Sequence, residues 1–246
     1  MELNNHFRTF LIRAYAFFRI SKGNRSKVIF YHDIHSTKRY TNMSTSIELF
    51  KVHIDIIKET GYQIVNEITK EYGQIEICFD DGFLGLYENI DFLKNNGIPV
   101  HLFVVSSYLI QKGYINETQL MELNKLPLVK ISSHTNTHKR LNEIATSEIE
   151  IELRTSKEII ESVIKSTVSA LCYPEGRFNK ETINIAQSLG YMKQYSCLPG
   201  FFSFKSNNDI IRRSLVQSAK EKEFRAILKG GDHILEFWYR FKYFRR

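Results

Sequence analysis

Cysteine is too scarce and too scattered in this chain to build a framework. Cys78, Cys172 and Cys197 are odd in number and form no CxxC pair, which argues against a set of disulfides and against a cysteine-based zinc site. They read as reduced core thiols. Long apolar runs are missing as well: Arg8, Arg13 and Arg19 interrupt the first twenty residues, and no run of eighteen apolar residues follows, so no spanning helix is expected. A charged start, an unbroken apolar stretch and a small-residue cleavage site do not occur in the order of a secretion signal. There is no internal repeat, no low-complexity tract and no Pro/Gly/Ser linker, so a second domain is not indicated.

What is present is enough for one substantial core. At 246 residues and 43% hydrophobic, the chain matches the size at which α/β barrels form one domain. Lys and Arg outnumber Asp and Glu by 34 to 27, a net charge of +7 that favours phosphates, anionic lipids or acidic glycans without choosing among them. The basic residues concentrate at the ends, where FRTFLIRAYAFFRI and FWYRFKYFRR set Arg and Lys among aromatics.

Between the ends, strands and helices alternate. KVIFY reads as a buried strand, and SIELFKVHIDIIKETG has the helical spacing of Leu49, Ile54 and Ile57 with a stop at Gly61. IEICF is the next strand and runs into Asp-Asp-Gly, a single helix is expected from Leu84 to Asn96, and PVHLFVV follows as a strand. ETQLMELNKL is helical, LVKISS extended, and Ser147 to Ser166 a helix carried by Ile149, Leu153, Ile160 and Ile164. SALCYP, a helix ending at Gly190, and extended MKQYSCL complete the series. This alternation indicates a parallel sheet, open or closed into a barrel, and in such folds reactive groups gather at the carboxyl ends of strands. Three polar clusters stand just past expected strand ends: DDG, SHTNTH and YPEG.

Each cluster has an ordinary explanation when taken alone. Asp-Gly is a common turn dipeptide, and a single His is usually a hydrogen-bonded structural residue. Together they suggest more. His134 and His138, four apart, would share one face of a helical turn and reach one ion. Asp80 and Asp81 would put two adjacent carboxylates at the end of a very apolar strand, where repulsion and desolvation penalise both. A cation would relieve this: one Asp binds it and the other accepts a proton, while the ion lowers the pKa of water toward about 7 and polarises a carbonyl.

FDDG, then SHTNTH with its HTxxH spacing, then YPEG followed by Arg177, in that order, resembles the polysaccharide deacetylase family, the NodB-homology carbohydrate esterases, over about residues 27 to 216. The resemblance implies an α/β fold, a distorted (β/α)7-type barrel in one domain, and metal-dependent removal of an acyl group, usually acetyl, from an N-acylated amino-sugar glycan. It makes Asp80 the general base and Asp81, His134 and His138 the ligands of one divalent ion, expected as Zn2+, with Co2+, Ni2+ or Fe2+ as alternatives. The family's third motif often opens with an arginine that orients the base; here that place is Cys172. The form CYPEGRFN, with the early YHDI around His32, is similar to the branch acting on poly-glucosamine adhesins. By the same resemblance the Tyr173 amide is the expected oxyanion donor, and Pro174, Gly176 and Arg213 are expected at the substrate, with Arg212 as the alternative register for Arg213. The family's final Leu-x-His motif, which supplies the general acid, has no clear counterpart. His233 and His32 are the two candidates.

The ends suggest a location. Phe7, Phe10, Leu11, Ala14, Phe17 and Phe18 recur at helical spacing, as in a basic amphipathic helix on a bilayer; the alternative is a helix packed on its own barrel. Phe237, Trp238, Tyr239, Phe241, Tyr243 and Phe244 alternate with Arg240, Lys242, Arg245 and Arg246, a headgroup-seeking pattern. The expected organisation is a basic N-terminal segment (1–26), a catalytic domain (27–230) and an aromatic-basic tail (231–246), in a cytoplasmic enzyme at the membrane face acting on a polymer or lipid-linked sugar, with an extracellular or cell-surface location as the alternative. A catalytically weak glycan-binding barrel is the competing reading. A nucleic-acid binder would use the charge but leaves DDG and HTxxH unexplained, so no nucleic-acid partner is expected.

Overall fold

The computed structural model describes residues 5–18, 23–204 and 210–244. Helix α1 (Asn5–Phe18) precedes strand β1 (Lys27–Tyr31), the side strands β2 (Asp33–His35) and β3 (Ser44–Ser46), and α2 (Ile47–Glu59). Next come β4 (Gln63–Val65), β5 (Gln74–Phe79), α3 (Leu84–Glu88), α4 (Ile90–Asn95), β6 (Val100–Val104), α5 (Glu117–Asn124), β7 (Val129–Ser133) and α6 (Thr146–Ile164). The chain continues through β8 (Ala170–Cys172), α7 (Lys180–Ser188), β9 (Lys193–Tyr195), β10 (Ile210–Ile211), β11 (Arg213–Leu215), α8 (Glu221–Leu228) and α9 (Glu236–Phe244).

The main sheet is parallel, in the order β10-β9-β8-β7-β6-β5-β1-β11, with β4 beside β5. Among the described residues no ladder joins its two edges. Yet β10 and β11 are separated in sequence by Arg212 alone, so the chain itself spans the gap and the sheet curls into a distorted barrel. Every residue of β1, β5 and β6 is buried, which is why KVIFY, IEICF and VHLFV read as apolar runs rather than alternating ones. Alternate side chains still face opposite ways. Val28, Phe30, Cys78, Phe103, Cys172 and Tyr195 fill the interior, whereas Ile29, Tyr31, Ile75, Ile77, Phe79, Leu102 and Val104 pack outward with Ile54, Ile57, Ile149, Leu153 and Ile160 of the helices.

Two polar devices hold the barrel from inside. Glu76 and His101 meet at 2.7 Å, and the other nitrogen of His101 lies 2.7 Å from Ser132 Oγ. At the amino end of β1, the buried Lys27 ammonium donates to Asp232 at 2.9 Å and to the Gly200 carbonyl at 3.2 Å. One expected helix is two: at Asn89 (φ −106°) the side chain donates to the Gly85 carbonyl at 2.8 Å, ending α3 and letting α4 start in a new direction. Gly85 itself lies so close to β2 that a Cβ there would collide with the Ile34 carbonyl and the Asp33 carboxylate.

His53 ties α2 to the returning chain. Its Nε2–H donates to the Ala219 carbonyl at 2.7 Å, its Nδ1 accepts from the Tyr31 hydroxyl at 2.8 Å, and its ring stacks on Phe224 at 3.9 Å. Burial pushes its imidazole down to about 4, although the Ala219 carbonyl pulls the other way. The unfolded chain, with an ordinary histidine near 6.5, therefore binds the proton first. Stability from this group is intact above pH 6.5, declines as the pH falls from 6.5 to 4, and in total drops by about 3 kcal/mol. Urea titrations at pH 7 and 4.5 should show a smaller midpoint change in His53→Gln than in the parent; equal changes would assign the pH dependence elsewhere.

Candidate active site

Strand β5 ends by placing Asp80 inside the barrel, in step with Glu76 and Cys78, and the chain then turns at Asp81 with φ 71°. His134 follows β7, and residues 134–140 form no helix: Thr135 (φ 67°) and His138 (φ 61°) both take left-handed backbone. The expected helical turn is thus replaced by a strained loop, which nevertheless brings both imidazoles to one point. Asp81 Oδ1 is 3.4 Å from His134 Nε2 and 3.4 Å from His138 Nε2. These distances are long for hydrogen bonds, and the buried Oδ1 has no hydrogen-bond partner among the described residues. They do suit three ligands of one small cation, because bonds of about 2.0–2.1 Å at tetrahedral angles put ligand atoms roughly 3.3 Å apart.

The loop is fastened from behind. The His134 Nδ1–H donates to the Cys172 carbonyl at 2.8 Å, which turns Nε2 toward Asp81. Burial pushes the His134 imidazole down to about 4, outweighing the Asp80 carboxylate, so the ring is neutral at pH 7 and free to bind metal. Glu152 of α6 accepts from the backbone N–H groups of Asn136 (3.1 Å) and Thr137 (2.8 Å) and from the Thr137 hydroxyl.

Asp80 is held by an ion pair. Arg213 of β11, fully buried, donates NH1 to Oδ1 at 2.7 Å and NH2 to Oδ2 at 2.8 Å. Burial pushes the Asp80 carboxyl up, but the guanidinium charge and its two hydrogen bonds prevail and hold it well below the usual carboxylate range. The same guanidinium lies 4.3 Å from the Phe30 ring centre, 2.8 Å from Cys172 Sγ and 3.9 Å from Cys197 Sγ. Burial raises all three thiols, Cys197 to about 11, so they stay neutral around the cation and leave its charge to Asp80.

The family model for polysaccharide deacetylase matches residues 67–193, more than half of the chain, and includes both aspartates and both histidines. The chain belongs to the polysaccharide deacetylase family. YxkH of Bacillus subtilis (strain 168), whose own assignment as a polysaccharide deacetylase is provisional, is 25% identical over 196 residues, 75% of this chain and 69% of that protein. Among solved structures, the Streptococcus pyogenes deacetylase PplD in complex with acetate aligns with TM-score 0.73 at 19% identity, covering 84% of this chain and 98% of that one. IcaB from Ammonifex degensii aligns with TM-score 0.72 at 17% identity, over 84% and 98%. The likeness to these structures is one of fold.

Within the polysaccharide deacetylase family the chain has Cys172 where an arginine is often found, and an arginine from another strand meets Asp80. Arg213, expected at the substrate, reaches Asp80 from β11 instead and has no exposed surface with which to touch a ligand. Tyr173, expected as oxyanion donor, gives its N–H to the Tyr195 carbonyl at 3.0 Å in the β8–β9 pairing and has none to spare. Pro174 has no N–H. The next amide is that of Glu175 (φ 54°), in the first turn of the 3₁₀ segment Pro174–Gly176, where a helix leaves N–H groups without internal partners. Pro174 and Gly176, also expected at the substrate, are buried: the first opens this turn, and a Cβ on the second would lie 2.5 Å from the Cys197 nitrogen.

The two candidate acids part company. His233 accepts from the Phe201 N–H at 3.1 Å and sits next to Asp232, the partner of Lys27, at the amino end of β1; the strand ends that carry Asp80, Asp81 and His134 are on the other side, so the structure does not bring His233 to them. His32, just past β1, lies within electrostatic reach of Asp80, and its Nδ1 meets Gln217 Oε1 at 2.6 Å. Glu152 and Gln217 carry no motif and were not visible as site residues in the sequence.

Replacing Glu152 with Ala should unfasten the 134–138 loop and weaken divalent-metal binding by about 10–100-fold, read by competition with a chromophoric chelator; unchanged affinity would show that the loop holds itself. Arg213→Met should cost about 3–5 kcal/mol of unfolding free energy, because Asp80 is left buried and unpaired. Urea titration of Arg213→Met beside the double variant Arg213→Met/Asp80→Asn would recover part of that loss if the pairing is its cause.

Proposed function

We propose that this protein is a metal-dependent hydrolase that removes an acyl group, acetyl first among them, from the nitrogen of an amino sugar in a glycan. The observation that carries the reading is the adjacency of a three-ligand cluster whose carboxylate oxygen lacks a partner and a second carboxylate kept ionised by a buried arginine. Asp81, His134 and His138 would hold one divalent ion, for which zinc suits the two imidazoles and one carboxylate. Such an ion, when bound, supplies Lewis acidity that polarises the amide carbonyl and makes water a better nucleophile at neutral pH.

The remaining roles fall to the chain itself. Asp80, its orientation fixed by two hydrogen bonds from Arg213, accepts the proton of the attacking water. The Glu175 N–H, the first amide after Pro174, would receive the charge that develops on the carbonyl oxygen. His32, oriented through Nδ1 by Gln217, presents Nε2 as the group that protonates the departing amine. Beside Asp81 stands an aromatic wall in which Phe83 stacks on Tyr114 at 4.7 Å and Tyr108 meets Tyr114 at 4.6 Å with its ring tilted by 48°, the two tyrosines partly open to solvent. Burial raises both tyrosine hydroxyls, and the Asp81 carboxylate adds to the effect. Such a wall suits the apolar face of a sugar ring.

A glycan-binding barrel without turnover is the competing reading, favoured by the absent Leu-x-His motif. Acetate or formate release decides between them, measured on amino-sugar polymers and on lipid-linked monosaccharides. Release by the parent is expected, with loss of about 10²-fold or more in Asp80→Asn at unchanged metal content and a comparable loss in His32→Gln. His134→Ala/His138→Ala should lose the metal. Full metal occupancy in that double variant, or no release from any acylated amino sugar by the metal-loaded parent, would refute the assignment.

A further inference from the structure

Helix α1 has two apolar sides where a surface helix needs one. At 3.6 residues per turn, Thr9, Ile12 and Ala16 fall on one side, and they meet the molecule: Ile12 is fully buried, and the Thr9 hydroxyl donates to Glu223 of α8 at 2.8 Å. The opposite side carries Phe7, Phe10, Ala14, Phe17 and Phe18. Phe10 is 64% exposed, Phe17 84% and Phe18 81%. Helical packing on the barrel, the alternative considered from the sequence, thus accounts for the inner side only. The outer side is the more aromatic of the two and faces solvent.

Beside this face runs a groove of 1190 Å³ between α1 and α8, bordered by Phe10, Arg13, Phe17, Lys220, Lys222 and Lys229. The acids of this region are already engaged, Glu223 with Arg8 at 2.7 Å and Glu221 with Arg225 at 3.1 Å. Arg13, Lys220, Lys222 and Lys229 enter no ion pair among the described residues. At the far end α9 packs on the same 231–235 turn as α1 and leaves Phe237 81% exposed. None of the described helices is long and apolar enough to cross a membrane.

We propose that the outer face of α1, with the basic groove beside it, is a docking surface for an anionic phospholipid bilayer. Phe7, Phe10, Phe17 and Phe18 enter the interfacial zone with the helix lying in the plane, while Arg13, Lys222 and Lys229 meet lipid phosphates. Charge selects this partner: a row of cations that enter no ion pair among the described residues flanks an aromatic stripe, the acids bordering the groove are engaged in ion pairs, and such a face complements an anionic sheet. The inference is independent of the catalytic reading, since no part of the surface belongs to the active site.

The test is flotation of the full chain with vesicles of phosphatidylcholine alone or mixed with phosphatidylglycerol, at low and high salt. The parent is expected to float with the anionic vesicles at low salt and to be released by high salt, because screening shortens the reach of the cations. Phe10→Ser/Phe17→Ser/Phe18→Ser and Arg13→Glu/Lys222→Glu/Lys229→Glu change exposed side chains only and should melt as the parent does. Each should lower partition by about tenfold or more. No flotation of the parent, or equal flotation of parent and both variants, overturns the proposal. So does a parent that is dimeric by light scattering, becomes monomeric in the phenylalanine variant and never floats, since the face would then cover a second copy of the chain.

Discussion

The pair formed by Asp80 and Arg213 is the interaction on which the centre of this molecule is organised. A carboxylate and a guanidinium, both without solvent, are tolerable only as partners, and their pairing sets several things at once. It keeps Asp80 ionised inside an apolar barrel, and it fixes the direction of both carboxylate oxygens. It also draws β11 against β1 opposite β5, because the guanidinium must cross the interior to reach its partner. The three thiols and two aromatic rings around Arg213 form a lining that is soft, neutral and close-packed, so that nothing else competes for its charge.

Much of the fold could be read directly from the chain. KVIFY, IEICF and VHLFV are apolar throughout because both faces of a parallel strand are covered, and the helices between them show regular spacing. The grouping of Asp81, His134 and His138 was legible too, since its members lie in two short motifs. What was not legible depends on partners distant in sequence. Asp80 and Arg213 are 133 residues apart, and nothing in IIRRSLV says which arginine turns inward. Tyr173 was misjudged because strand pairing claims its N–H, a fact that belongs to β9. His233 was misplaced because sequence order does not tell which end of a barrel a turn will visit. The helix expected from Leu84 to Asn96 failed locally, where the Asn89 side chain competes for a backbone carbonyl.

Backbone strain marks the site more sharply than burial does. Asp81, Thr135, His138 and Glu175 are non-glycine residues with positive φ, and all four belong to the three strand-end clusters; Lys165, at the end of α6, is the remaining case among the described residues. Left-handed backbone costs a residue with a Cβ on the order of 1 kcal/mol or more. The surroundings supply the compensation at named places, as where the Glu152 carboxylate gathers the N–H groups of Asn136 and Thr137.

The break between β10 and β11 has a consequence for how this chain can vary. Arg212 points away, its guanidinium donating to the Pro199 carbonyl and to Glu236, while Arg213 points in. Alternation of side chains along a strand means that one residue added between Ile210 and Arg212 would carry Arg212 to the inward place facing Asp80 and turn Arg213 outward, whereas one residue lost there would put Ser214 in the inward place. The seam of the barrel thus acts as a ruler, counted from Ile210, that decides which side chain meets Asp80.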